Sequence, residues 1–402
     1  MKKVGKFLAA TLAAVMCVAG FASCKKKNYA ENNTEFIIGM SGPLSGAAAL
    51  YGEAVRYSAE MAIDEINDAG GLNGVKFKLV AYDDGNNADK VATNYADMIK
   101  AGAQVSLGCV TTKPALEFKS LSEGDNLFFL TPSASNDDVP KVANGYQMCF
   151  ADGNQGKAAA EYVKQMVADG KYTASEIGVF YKSDEVYSAG IYDLFRTNVG
   201  TDIADSMKVT VFTDNNDSDF SSQIEQLKNC KFIFMPIYYT PASLFMTQAQ
   251  RAGKIASDAV YYGCDGLDGI DSLPGFDMYS IPQEISMLSH FNSKSTDEKT
   301  VEFVTKYTAK HGTATLNQFG ASAYDCVYAI YGAMKAALEK DPDSVKVTMS
   351  PSELCEVLKA EFNGGYTFSG VTGASIKWDA DGYVDKAAVK YVVKESGAKK
   401  PE

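Results

Sequence analysis

From residue 36 onward, short apolar runs alternate with longer stretches in which apolar residues recur every three or four positions. The short runs are rich in β-branched and aromatic residues and bounded by Gly, Asp, Asn or Pro, the pattern of buried strands. They predict strands at 36–40, 76–82, 104–109, 127–131, 146–150, 176–181, 207–212, 231–237, 259–263 and 284–288. Between them the 3.6-residue period predicts helices at 48–69, 87–101, 114–124, 155–169, 187–198, 219–229 and 241–253. Three further helices are predicted at 296–311, 318–340 and 351–361, then a hairpin built from 374–378, a turn at 379–382 and the alternating run 387–394. Alternating strands and helices imply parallel sheets covered on both faces. Ten strands exceed one such sheet of ordinary size, so the expectation is an α/β chain with two Rossmann-like lobes. The first unit, FIIGMSGPLSGAAALYG at 36–52, is a strand, a small-residue loop and a helix start. Loops at the carboxyl ends of such strands hold ligands, so this loop is expected to form one wall of a cleft.

The N-terminus stands outside this pattern. Lys2, Lys3 and Lys6 precede an apolar stretch at 7–20, which has the build of an export signal and is short for a membrane span. It ends in Phe21-Ala22-Ser23-Cys24, similar to a bacterial lipobox, in which Cys24 becomes the lipidated first residue. The expectations are a signal peptide at 1–23 and a lipidated polar tether at 24–35, placing the protein in the cell envelope.

Charge narrows the ligand class. The formal net charge of −12 becomes −15 once the signal's three lysines are removed. Only Arg56, Arg196 and Arg251 are arginines, which argues against nucleic acid and phosphate-rich ligands. His290 and His311 are the only histidines, and no GxSxG, HExxH, P-loop or strand-linked GxGxxG occurs, so no enzyme, cofactor or metal is expected. An Asp214-x-Asn216-x-Ser218 run with Glu225 imitates a calcium loop but has Asp219 where the turn glycine belongs. Cys109, Cys149, Cys230, Cys264, Cys326 and Cys355 are widely spaced without CxxC pairs, so buried free thiols are expected.

The chain resembles the leucine/isoleucine/valine-binding protein family of transporter receptors, which has the type I periplasmic-binding fold. The likeness rests on IGMSGPLSGAAALYG, AIDEINDAGGLNG, VAYDD, GCVTTKPA, TPSAS, DGNQG and QAQRAG followed nine residues later by GCDG. It implies two lobes joined by three crossover segments with a ligand cleft between them. Lobe 1 would be 36–151 plus 285–365, and lobe 2 would be 152–284 plus 366–402. By the match, Thr112 binds an amino-acid carboxylate, with Thr111 as a rival, and the Ser133 carbonyl accepts from the ligand ammonium. Ser135 donates to the carboxylate and Asp265 pairs with the ammonium. Tyr51, Tyr187 and Tyr238 line the pocket, with Tyr239 a rival for Tyr238, and Asp152 falls at the first crossover. The branched-chain members carry a disulfide where this chain has Asn86 and Thr111.

These readings imply an exported, lipid-anchored, monomeric receptor delivering a free amino acid, branched-chain or related, to the permease of an ABC transporter. The alternative is a sensing domain of the same fold that signals through a separate membrane partner.

Overall fold

A computed structural model describes residues 27–399, so the export signal and Cys24 lie outside the described residues. The first lobe opens with β1 (Phe36–Gly42), α1 (Ala49–Asp68), β2 (Phe77–Asp83), α2 (Val91–Lys100) and β3 (Val105–Cys109). It continues with α3 (Thr112–Asp125), β4 (Phe129–Thr131) and β5 (Gly145–Gln147). The second lobe holds α4 (Asp152–Ala168), β6 (Ile177–Lys182), α5 (Val186–Asn198), α6 (Thr201–Ser206) and β7 (Lys208–Phe212). It then adds α7 (Ser221–Leu227), β8 (Phe232–Met235), α8 (Tyr239–Ala252), β9 (Val260–Gly263) and β10 (Glu284–Ser289). The chain ends with α9 (Glu298–His311), α10 (Gln318–Lys340), α11 (Pro351–Asn363) and β11 (Val389–Lys394).

The strands form two sheets, β2-β1-β3-β4-β5 and β11-β10-β9-β8-β6-β7, parallel throughout except for β11 on β10. Strand alternation places Phe36, Ile38 and Met40 in the same core as residues of α1 and α10, and Ile37 and Val80 against α2 and α3. Burial on both faces explains why β8 reads as a continuous apolar run, while in β3 the buried Ser106 is satisfied by donating to Gly39 O at 2.8 Å. The helices α1 and α10 cross closely because Gly320 has no side chain: a Cβ there would lie 2.8 Å from Ser58 Oγ. All six cysteines of the described residues are buried free thiols.

Four departures from the predicted elements have local causes. The helix expected at 155–169 begins at Asp152, because Gly153 and Gly156 serve packing here and do not form a turn. A Cβ on Gly156 would sit 2.6 Å from Leu194 Cβ, so this glycine lets α4 and α5 meet. The strand at 284–289 belongs to the second sheet, so a division at 284/285 cuts a strand and the return to lobe 1 begins at His290. The expected hairpin closes only around its turn at 379–382, and the run 387–394 pairs with β10 instead of with 374–378. Ile376 bridges Phe368 and Trp378 bridges Val384, while Trp378 Nε1 donates to Gln147 O at 2.8 Å, sealing this stretch against β5. Only beyond the buried Lys386 does the chain reach β10 as β11.

The fourth concerns the tether. From Asn28 the chain is docked on lobe 1. Asn28 Nδ2 donates to Thr348 O at 3.1 Å, Ala30 is buried, and Asn33 Nδ2 donates to Gly102 O at 2.9 Å.

The β1–α1 turn is held by a backbone approach. A Cβ on Gly52 would lie 2.1 Å from Pro43 O. Gly52→Ala is expected to lower stability by about 1–3 kcal/mol, the usual cost of overpacking, read from the urea midpoint.

Candidate functional site between the lobes

The carboxyl ends of β1, β3 and β4 in lobe 1 face the ends of β8 and β9 in lobe 2, and one cavity lies between them. Tyr51, Thr112, Ser133, Ser135, Tyr187, Tyr238 and Asp265, all proposed from sequence, line it together. Val110, Thr111, Gly266 and Phe319 complete the wall. The cavity measures about 20 Å³. That is close to one water-sized sphere, so any larger ligand must enter with the lobes apart.

One end of the cavity is built to meet an anion. The helix α3 begins two residues earlier than its pattern suggests, at Thr112, with Thr111 as N-cap. Thr111 makes no side-chain capping bond; Pro114 carries no N–H, and the Thr112 N–H meets the Tyr238 hydroxyl at the cavity wall. Thr111 is 4 % exposed, and its Oγ1 is buried without a hydrogen-bond partner. A buried hydroxyl left unpaired is costly, and it lines the cavity beside a helix N-terminus. Both threonines that sequence alone left as rivals are therefore present at this end.

The other end is anionic. Asp265 follows β9 and is 2 % exposed. Tyr187 Oη donates to its Oδ1 at 2.6 Å, and Gln155 Oε1 accepts from its backbone N–H at 2.9 Å. Burial pushes the Asp265 carboxyl up to about 6, against the hydrogen bonds that lower it. Asp152, the first residue of α4, is fully buried close behind and is raised well above the usual carboxylate range by burial and by Asp265. No lysine, arginine or histidine is among the residues lining the cavity.

Ser135 lines the same cavity. Its hydroxyl lies close enough to Asp152 and Asp265 to lower both carboxyls, which puts it on the anionic side. Its carbonyl accepts from Asp152 N at 2.8 Å. The Ser133 hydroxyl is committed to Val110 O at 2.6 Å.

Aromatic rings form the remaining wall. Tyr187 and Tyr238 stack with centroids 5.0 Å apart, and Tyr51 meets Tyr238 and Phe319 edge-on at 5.6 and 5.1 Å. Tyr239 is not among the lining residues; its hydroxyl accepts from Leu50 N at 3.2 Å beneath them. Tyr51 Oη donates across the cleft to Gly266 O at 2.5 Å. Thr240 Oγ1 donates to Ala47 O at 2.7 Å, and Asp268 Oδ2 accepts from Gln318 N at 3.0 Å at the start of α10. These bonds join the lobes directly. Phe319, Gly266 and Gln155 were missed from sequence. Phe319 reads as ordinary helix core, and its only signal is its position two residues after the N-cap Asn317. The supposed calcium loop is otherwise engaged: Asp214 pairs with Lys182 at 2.7 Å, and Asp219 Oδ1 accepts from Ser221 N.

The periplasmic binding protein family model matches residues 35–399. A Pseudomonas aeruginosa protein named leucine-, isoleucine-, valine-, threonine-, and alanine-binding protein is 28% identical over 345 residues, covering 83% of this chain and 86% of its own. The Streptococcus pneumoniae branched-chain amino acid transporter substrate-binding protein LivJ, solved with isoleucine, matches with a TM-score of 0.73 and 23% identity. That match covers 90% of this chain and 97% of the other. A solute-binding protein of an ABC transporter from R. palustris, solved with benzoate, matches with a TM-score of 0.74 and 18% identity over 90% and 94% of the two chains. The chain belongs to the periplasmic binding protein family, among the relatives of the leucine/isoleucine/valine-binding proteins.

Proposed function

We propose that this protein is an extracytoplasmic, lipid-anchored receptor that captures a free α-amino acid, branched-chain or related, and delivers it to an ABC transporter. The observation that carries the reading is the polarity of the cavity. The α3 N-terminus, with the unpaired Thr111 hydroxyl and Thr112, faces a buried carboxylate, Asp265, and no protein cation neutralises that charge from the cavity wall. This is the complement of a zwitterion: an anion at the amides and hydroxyls, a cation at the carboxylate. A plain organic acid such as benzoate would leave Asp265 without a counter-charge. The aromatic wall of Tyr51, Tyr187, Tyr238 and Phe319 suits an apolar side chain. The ligand first docks on lobe 1 through the α3 N-terminus, and closure then brings Tyr187, Tyr238 and Asp265 onto it. Nothing in this arrangement calls for a nucleophile or a general base, so the ligand is released unaltered.

A thermal-shift panel of the twenty amino acids plus benzoate tests this reading. Stabilisation by at least one apolar amino acid and none by benzoate is expected; a panel without any shift sinks it. The pH profile supplies a second check. An ammonium prefers the ionised Asp265, whose carboxyl sits at about 6 before binding. Affinity should therefore be flat above that pH and fall, by at most ~10-fold per unit, as pH drops through it. For the ligand-free fold the sign reverses. A carboxyl raised by burial contributes stability that is present below its unfolded pKa and is lost as pH rises through the folded value. Calorimetric titrations at several pH values read the first trend, and urea midpoints read the second.

A further inference from the structure

We propose that lobe 1 is the membrane-proximal lobe, with the amino-terminal edge of its sheet held against the bilayer and lobe 2 standing away from it. The inference rests on the lipid-anchor reading of Cys24 and adds an orientation to it.

The chain after Cys24 is not a long free leash. Asn28 is bonded to Thr348 O, Ala30 is 1 % exposed, and Ala30 N donates to Asn28 Oδ1 at 2.9 Å. Asn33 Nδ2 donates to Gly102 O and reaches Gln104 Oε1 at 3.3 Å. Gln104 Nε2 in turn donates to Val347 O and Met349 O at 3.0 and 2.8 Å. The segment is thereby sewn to lobe 1 at two places, immediately before β3 and immediately before α11. Only Lys25, Lys26 and Lys27 separate Cys24 from Asn28. Four residue steps span at most ~14 Å even fully extended. A lipid on Cys24 therefore keeps this patch of lobe 1 within about that distance of the headgroups.

The patch lies at the amino end of β3, whereas the cavity lies beyond its carboxyl end, at Thr111 and Thr112. The order away from the bilayer is then lobe 1, cleft, lobe 2. The three lysines in the gap favour this standing pose over an anionic surface, since they occupy the stretch nearest the headgroups. Opening and closing become a swing of lobe 2 about a lobe 1 that stays put, so that the membrane holds the half carrying the α3 N-terminus.

Energy transfer from the protein to the bilayer tests the orientation. The full chain, made in a bacterium that processes lipoproteins, is reconstituted in vesicles carrying an acceptor-labelled lipid. One variant carries a fluorophore at Lys346→Cys, on the exposed surface beside the docked segment, and another at Asp258→Cys, exposed at the amino end of β9 in lobe 2. The native cysteines of the described residues are buried and should escape labelling. Transfer from position 346 is expected to exceed that from 258 at least threefold. Inserting twenty Gly/Ser residues between Lys27 and Asn28 should bring the two signals together. Equal transfer from both positions, or no response to the insertion, overturns the orientation while leaving the anchor intact. An intact mass without lipid on Cys24 removes the anchor and the orientation together, and leaves the amino-acid reading untouched.

Discussion

Replacing Asp265 by alanine is expected to weaken amino-acid binding by about 3 kcal/mol, roughly 150-fold in Kd, the range for truncating one partner of a buried charge pair. The effect follows from isolation. Asp265 is 2 % exposed, and no other carboxylate is among the residues lining the cavity. Asp152 lies behind it and is held by Asn136 Nδ2 at 3.4 Å and Gln155 Nε2 at 3.5 Å. Without Asp265 the ligand ammonium would enter a closed, largely aromatic space with a carbonyl and neutral hydroxyls as acceptors, and its lost hydration would go uncompensated. Asp265→Asn keeps the shape and an acceptor for Tyr187, so it separates charge from packing. At neutral pH Asp265→Asn should match or exceed the ligand-free melting point of the natural chain, because it removes a charge that burial disfavours. Titration calorimetry beside thermal melts reads both quantities. Unchanged affinity in both variants would remove Asp265 from the site.

The second large effect concerns stability. Asp325→Ala is expected to cost about 3–5 kcal/mol, the range for breaking a buried charged network. Asp325 is 1 % exposed and accepts from Val371 N at 2.8 Å, Thr372 N at 2.7 Å and Thr372 Oγ1 at 2.5 Å. Lys386 Nζ donates to the same hydroxyl at 2.6 Å. This network ties α10 to the crossover that leads into β11. Burial lowers Lys386 to about 8, and Asp325 is the largest influence holding it up. With Asp325 gone, the lysine is a buried cation without a counter-charge, and its folded pKa falls further below 8. The deficit from this charge should therefore be greatest at low pH, shrink as pH rises toward 8 and vanish above it. Adding Lys386→Met should recover much of the loss, because an apolar residue of similar length fills the site. Urea midpoints at pH 6.5 and 9.5 for the single and double variants measure this. A deficit independent of pH, or no recovery in the double variant, would mean that the charge pair is not the cause.

What was legible in the sequence divides along physical lines. Alternating apolar runs and 3.6-residue periods specify layers, because burial on both faces of a parallel sheet leaves a strong pattern. Loops after strand ends carry the polar residues of a cleft, which is why Thr112, Ser133 and Asp265 were readable from GCVTTKPA, TPSAS and GCDG. Side-chain direction was not readable. Ser135 belongs to the right loop, yet its hydroxyl faces Asp152 and Asp265 because α4 starts at Asp152 and brings that carboxyl close. Phe319 escaped notice because an aromatic residue in a long apolar helix signals core first, and only the crossing of α10 over α1 aims it at Tyr51. Segments 28–35 and 374–394 misled for a shared reason. Their polar or alternating patterns describe local character, while Gln104 and Gln147, distant in sequence, decide where they dock. The opening stretch 36–52 is a cleft wall in the expected sense, contributing Tyr51, though the anion-binding and cation-binding groups come from later loops.

The central claim is that this cleft holds a free α-amino acid. Native mass spectrometry of the freshly purified protein, followed by identification of the released small molecule, addresses it most directly. The account predicts a single added mass equal to one α-amino acid, lost on denaturation and absent from Asp265→Ala. A bound compound without an amino group, or the same added mass on Asp265→Ala at equal occupancy, would contradict it.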